Sequence, residues 1–466
     1  MRPQIVWIAA LTLLGGGTVF HTSASAEPLK AGVASVDITP PPGLRMWGYS
    51  SRKKPAQATL DPLSARALVL QGDGPPVAII TLDLGRPPEE ALIERLRRQC
   101  QQACGVERLF VTASHTHQAP SLESYNGKTN TFAAALIDKL TKLVVAASRK
   151  LTPVKVGVGR TEVDYAHNRR RLLPDGRIAM QWRNAEREPT APVDREVTIV
   201  RLDHVAGGSP VAILFHYACH PVVLGADNLK YSADYVGEAR RVVERELGGS
   251  CLFLQGGAGD INPYVDKTPI DQGGVEEMRK MGRGIGRAVV AAARDISPQE
   301  EAGQTIRFLE RRIPVGIRWD IHDPKVREIL TRVYGDRFTH YLAEILDTPA
   351  LDLSLPTLLI GDRLALVGMP GEVFVDFQLR LKRVSPVEHT LLVGYTNGYH
   401  AYFPTIRDAA AGGYGGKVAT YVAVGTGERL VDEGLISIYR LLDKLHDVPR
   451  AEDFRLLEWD HLKRSP

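Results

Sequence analysis

Four short apolar runs in this chain stop abruptly at glycine, histidine or carboxylate residues. Leu109-Phe110-Val111 leads to Ser114-His115-Thr116-His117, and Phe215-His216-Tyr217 leads to Cys219-His220-Pro221. Leu252-Phe253-Leu254 leads to Gly256-Gly257-Ala258-Gly259-Asp260-Ile261-Asn262-Pro263, and Leu364-Ala365-Leu366-Val367 leads to Gly368-Met369-Pro370-Gly371-Glu372. An apolar run this short, bounded by turn residues, reads as a buried strand. Strand patterns at 31–38, 64–70, 77–82, 108–113, 211–217, 251–255 and 364–368 alternate with helix patterns at 87–104, 132–150, 234–247, 274–294 and 372–382. The alternation predicts an α/β fold: a largely parallel central sheet flanked by helices, with the active site at the carboxyl ends of the strands. Residues 300–355 carry a charged helix without a site-like motif and read as an insertion or flanking layer. No internal repeat is visible.

The first residues combine Arg2, an apolar stretch at 5–14 and Ala24-Ser25-Ala26, the pattern of a cleavable signal peptide ending at Ala26. The expected organisation is therefore a signal peptide at 1–26 and one hydrolase domain at 27–466, in a secreted or periplasmic protein. With 44% hydrophobic and 24% charged residues and a formal charge of +4, the chain has an ordinary globular composition. That charge gives no case for nucleic acid and permits only weak peripheral contact with an anionic membrane surface. Four cysteines (Cys100, Cys104, Cys219 and Cys251) are too few for a disulfide framework. Cys219 and Cys251 read as buried thiols, and the pairing of Cys100 with Cys104 is open. Oligomeric state is not encoded in any pattern.

The residues at the four strand ends are those a hydrolytic metal site needs. His115 and His117, at i and i+2 where a strand is ending, can face one polar cavity, one as a ligand and one as an acid or base. His216 and His220 would make a metal pair on a helix, but the run is strand-like and Pro221 favours an extended His220. His220 is thus the site candidate and His216 a structural histidine. The glycines at 256–259 let backbone approach a ligand closely, and no Gly-Lys-Ser/Thr follows, which excludes a P-loop. Glu372 is expected in the first turn of a helix, where the dipole favours a carboxylate. Tyr414, flanked by Gly412-Gly413 and Gly415-Gly416, belongs to a tight loop. Two histidines and a glutamate are the protein ligands of a catalytic zinc, which lowers the pKa of a bound water to roughly 7 and polarises a carbonyl.

Taken in order, these pieces resemble the neutral/alkaline non-lysosomal ceramidases, zinc amidases that split ceramide into sphingosine and a fatty acid. The similarity runs from Ala31 to about Asp432. It includes Asp61-Pro62-Leu63, the His-Thr-His at 115–117, Asn168-Arg169, His220-Pro221, Gly259-Asp260, Pro370-Gly371-Glu372 and the Gly413-Tyr414 loop. The resemblance implies that Zn2+ is held by His115, His220, Glu372 and Tyr414, with His117 and Arg169 facing the substrate amide. Two features depart from the family pattern. Asn262 stands where the family's Gly-Asp-x-Ser-Pro has a serine, so a serine acyl-enzyme is excluded there and Asn262 is expected to orient water or carbonyl. The second is an expectation from length, that the C-terminal β-sandwich domain of ceramidases is missing.

The resulting expectation is a zinc-dependent hydrolase of a linear amide, a lipid N-acyl amide such as ceramide, acting by metal-bound hydroxide. His117, Arg169, Asn262 and Tyr414 are its catalytic candidates. The alternatives are a zinc-binding homologue without turnover and a hydrolase of a non-lipid ester or amide. The Met46-Trp47-Gly48-Tyr49 segment reads as core packing or as apolar contact at the pocket mouth.

Overall fold

The computed structural model describes residues 28–123, 130–207, 210–299, 305–335 and 338–450. The expected signal peptide lies outside them. The strands of the larger sheet are β1 (Lys30–Asp37), β2 (Ser64–Gln71), β3 (Val77–Leu82), β4 (Arg108–Ala113), β5 (Thr152–Glu162), β6 (Glu196–His204), β7 (Pro210–Tyr217) and β8 (Ser250–Gln255). They lie in the spatial order β8-β7-β6-β5-β1-β2-β3-β4. A second sheet is built from β9 (Ile306–Gly316), β10 (Ala350–Ile360), β11 (Leu364–Gly368) and β12 (His389–Val393), in sequence order.

The larger sheet is mixed, which corrects the expectation of a largely parallel one. Only the outermost pairs, β3 with β4 and β7 with β8, are parallel. The inner pairings are antiparallel. Only residues 72–76 separate β2 from β3 and only 205–209 separate β6 from β7, too few for the crossover that parallel neighbours require. The crossovers that do exist are helical. Helix α1 (Glu90–Cys104) joins β3 to β4, and α3 (Asp234–Leu247) lies between β7 and β8.

Alternation along the strands builds four layers. Cys251 and Phe253 of β8 pack with α3 and α4 (Gly274–Asp295), whereas Leu252 and Leu254 face the second sheet. Leu366 of β11 meets them there with Leu358, Leu391 and Val393, while Ala365 and Val367 pack outward under α6 (Val375–Val384) and α7 (Thr426–Leu441). Helices α1 and α2 (Thr131–Ser148) cover the rest of the larger sheet. The region expected to be an insertion thus supplies two strands, β9 and β10, as well as the charged helix α5 (Pro324–Tyr334). Its strands escape a pattern search because β9 is punctuated by Arg307, Glu310, Arg311 and Arg312. Among the described residues no helix is long and apolar enough to cross a membrane.

The larger sheet curls so that its two edge strands meet at their carboxyl ends. Gln255, the last residue of β8, donates from Nε2 to the Ser114 carbonyl just beyond β4, at 2.9 Å. The Gln255 carbonyl accepts from Gly394 N beyond β12, and the Gly394 carbonyl accepts from Thr112 Oγ1 of β4. Three strand ends from two sheets are tied at one point.

Candidate functional site

His115, His117 and His220 converge at that point, with one ring nitrogen from each lying within 4.8 Å of the others. His115 follows β4 with φ +69°, a left-handed conformation that a β-carbon disfavours. It is held there by backbone bonds from Ser114 to Leu82 and from His115 to Leu84, and by stacking on Tyr395 at 4.0 Å. His115 Nδ1 contacts the Gly85 carbonyl at 2.6 Å and His220 Nδ1 the Ile261 carbonyl at 3.2 Å. A carbonyl only accepts, so both Nδ1 atoms carry the proton and both Nε2 atoms present lone pairs. Those lone pairs face the Glu372 carboxylate, whose Oε2 lies 3.5 Å from His115 Nε2 and 3.2 Å from His220 Nε2. Acceptor thus meets acceptor, an arrangement that calls for a cation in between.

The electrostatics agree. Burial pushes His220 down to about 3, with Arg169 adding to the shift. Burial, then the imidazoles of His115 and His220, hold His117 well below its ordinary value. Burial opposes ionisation of Glu372, but positive charge on the His115 and His220 nitrogens facing it holds the carboxyl well below the usual range, so the carboxylate stays ionised when a cation, proton or metal, lies between these groups. Neutral imidazoles and an ionised carboxylate are the forms that bind metal. The expectation that Glu372 lies in the first turn of a helix is corrected by the structure. Glu372–Val373 is a two-residue strand parallel to Tyr402–Phe403, and α6 begins only at Val375. The helix dipole therefore does not explain its charge.

His117 and Glu372 open onto a cavity of about 550 Å3 whose wall includes Trp47, Tyr49, Tyr399, Tyr402, Tyr414 and Tyr421. Tyr414 is 37% exposed, and its ring meets Trp182 and Tyr402, each at 5.4 Å. Tyr402 is buried. Its hydroxyl accepts from Arg169 Nη2 at 3.1 Å and lies against the Glu372 carboxylate. The Tyr399 hydroxyl donates to Glu372 Oε1 at 2.5 Å. Sequence reasoning passed over Tyr402. The signal available was the density of tyrosines at 395, 399 and 402 directly after the apolar β12.

Arg169 is only 3% exposed and donates to Asn262 Oδ1 at 2.9 Å and to the Gly259 carbonyl at 2.6 Å. It reaches the cavity through the Tyr402 hydroxyl instead of facing it directly. Asn262 is fully buried, its Oδ1 on Arg169 and its Nδ2 on Asp266 Oδ2 at 2.9 Å, which leaves it supporting Arg169. Arg170, next in the chain, is buried as well. It donates to the carbonyls of Tyr414 (2.7 Å) and Gly412 (2.8 Å), which fastens the glycine-rich loop. His216 bonds the Leu392 carbonyl within the sheets, a structural histidine as expected. The Met46-Trp47-Gly48-Tyr49 segment both packs and lines the cavity: Met46 and Trp47 are buried and all four residues border it. All four cysteines are free thiols, Cys100 and Cys104 included.

Comparison with known proteins agrees with this architecture. A neutral ceramidase of Mycobacterium tuberculosis is 26% identical over 253 residues, a stretch that is 47% of this chain and 38% of that relative. The crystal structure of neutral ceramidase from Pseudomonas aeruginosa superposes with a TM-score of 0.72 at 19% identity, covering 91% of this chain and 76% of the other. A ceramidase complexed with C2 gives 0.71 at 19% identity, covering 91% and 77%. The family described as neutral/alkaline non-lysosomal ceramidase, N-terminal, matches residues 29–291, more than half of the sequence. The chain belongs to the neutral/alkaline non-lysosomal ceramidase family.

Proposed function

We propose that this protein is a zinc-dependent hydrolase of a linear amide, with a lipid N-acyl amide such as ceramide as its substrate. The observation that carries the reading is the acceptor-on-acceptor contact of His115 and His220 with Glu372 at the floor of the cavity. Two neutral imidazoles and a buried carboxylate fit Zn2+ in number and chemistry. A phenol would complete the set. Tyr414 is the residue expected there by resemblance, but Tyr402 has the better support, because its buried hydroxyl lies between Arg169 and Glu372. Tyr414 is accordingly assigned to the cavity wall.

Zinc, when bound, acidifies a water and polarises the substrate carbonyl. The chain's own groups do the rest. His117, neutral and at the cavity wall, takes a proton during attack and returns it to the departing amine nitrogen. Arg169 holds the Tyr402 oxygen beside Glu372, where it would complete the set of ligands. The aromatic wall excludes water and supplies apolar contact for an acyl chain.

The test is metal content of the purified protein together with fatty acid release from a fluorescent N-acylsphingosine. About one zinc per chain with chelator-sensitive release is expected. Zinc without release sinks ceramide and returns the inactive homologue or another substrate. His117→Ala should lower kcat by about 100-fold or more while keeping zinc, in the range of a lost acid–base group, whereas His115→Ala should lose both. Equal zinc loss in the two variants would refute the division of roles. A second reading, a smaller polar amide or ester, is favoured by the many phenols and by Arg45, Lys53 and Glu123 in the cavity wall. Faster turnover of short, polar N-acyl amines than of N-acylsphingosine would select it.

A further inference from the structure

The 47–52 turn surrounds His117 on several sides. Trp47 and Tyr49 meet its ring edge-on, with centroids at 5.0 and 4.8 Å. Gly48 lies between them with φ +103°, and a β-carbon there would stand 2.4 Å from His117 Cγ and 2.5 Å from Nδ1. No other residue allows the ring to sit so close to the backbone, and none takes that φ without strain. Arg52 closes the turn. It is 6% exposed and donates from Nη1 to the carbonyls of His117 (2.8 Å) and Trp47 (3.1 Å), and from Nη2 to Gln118 Oε1 (2.7 Å) and the Gly225 carbonyl (3.1 Å). One planar fork thus fixes three chain segments: the turn, the segment after β4 and the segment after β7. The Tyr49 hydroxyl adds a bond to the Leu224 carbonyl at 2.8 Å.

We propose that Gly48 and Arg52 are positioning residues that hold the His117 imidazole at its working angle, Gly48 by letting the ring pack on the backbone and Arg52 by anchoring the His117 peptide. The functional consequence rests on the amidase reading above; the placement of the ring does not. Lysine cannot replace Arg52, since a single ammonium cannot span the oxygens that the guanidinium bridges.

The experiment compares wild type, Gly48→Ala and Arg52→Lys as full-length, metal-loaded proteins. It reads kcat and KM on a short-chain fluorescent N-acylsphingosine, zinc content, and the rate at which diethylpyrocarbonate modifies each histidine, followed by mass spectrometry. Both variants should lose about 10- to 100-fold in kcat, the effect of a roughly 1 Å misplacement, with KM and zinc nearly unchanged. Modification of His117 should change by several-fold while that of His115 and His220 does not. Wild-type kcat and wild-type His117 reactivity in a folded variant overturn the proposal, as does activity lost only in proportion to zinc. If Arg52→Lys does not fold, Gly48→Ala decides alone. If the wild type releases no fatty acid, the amidase reading falls and the histidine reactivities still decide the positioning role.

Discussion

A neutral imidazole has one N–H and one lone pair, and the partner of the first decides the direction of the second. At His115 and His220 the N–H groups are committed to the carbonyls of Gly85 and Ile261, so both lone pairs turn toward Glu372. That commitment could not be read from the sequence, because Gly85 and Ile261 are remote from the histidines along the chain. Asn262 makes the same point. Its identity excluded a serine nucleophile, but only the structure gives its partners, Arg169 on one side and Asp266 on the other. Asn262→Ala would take from the buried Arg169 Nη1 its bond to Oδ1, at about 1–3 kcal/mol, while Asp266 Oδ2 keeps the Lys267 ammonium at 2.5 Å. The expected outcome is a lower melting midpoint and a fall in kcat with zinc retained, measured by thermal unfolding, steady-state kinetics and metal analysis. Loss of zinc in step with activity would place Asn262 among the groups that hold the metal.

At the scale of elements, each site residue follows a strand whose period-two or continuous apolar pattern is plain in the sequence. That is why β4, β7, β8 and β11 and the motifs after them were legible, to within a residue or two. Pairing direction was not legible, since an apolar run fits a parallel or an antiparallel neighbour equally well. Nor was the start of α6: Pro370-Gly371-Glu372 reads as a helix entry, yet the parallel contact with Tyr402–Phe403 holds Glu372 extended. What makes these elements fit is backbone proximity. A β-carbon on Gly259 would stand 2.5 Å from the Glu372 carbonyl oxygen, and backbone on backbone cannot give way by rotating a side chain. Gly259→Ala should therefore destabilise the fold by several kcal/mol, as large steric clashes in cores do, and should weaken metal binding by displacing Glu372. Gly74→Ala, whose nearest contact would be at 3.8 Å, is the control expected to change neither. Denaturant midpoints and zinc titrations of the two variants check this.

For the molecule as a whole, the candidate metal centre lies on a seam. His115 and His220 belong to the curled larger sheet, whereas Glu372 and the tyrosines at 399 and 402 follow strands of the second. The seam beneath is closed by apolar contacts, Leu252 and Leu254 against Leu358, Leu366 and Leu391, and by the Gln255, Gly394 and Thr112 bonds at its rim. A cation held from both sides would cross-link the sheets where their strands end, and a ligand that binds only the folded state raises stability by mass action. Removing it should also restore the mutual repulsion of lone pairs that the cation had screened. Chelation is thus expected to lower the melting midpoint of the wild type by several degrees, since about 2.7 kcal/mol is gained at a free ligand concentration of 100 times Kd. Glu372→Gln removes the second sheet's anionic ligand, so its midpoint should respond far less to the same chelator and should sit near that of the stripped wild type. Calorimetry with and without chelator separates the outcomes. An equal drop in both proteins would mean that the ion binds the histidines alone, and that the seam is held by packing without it.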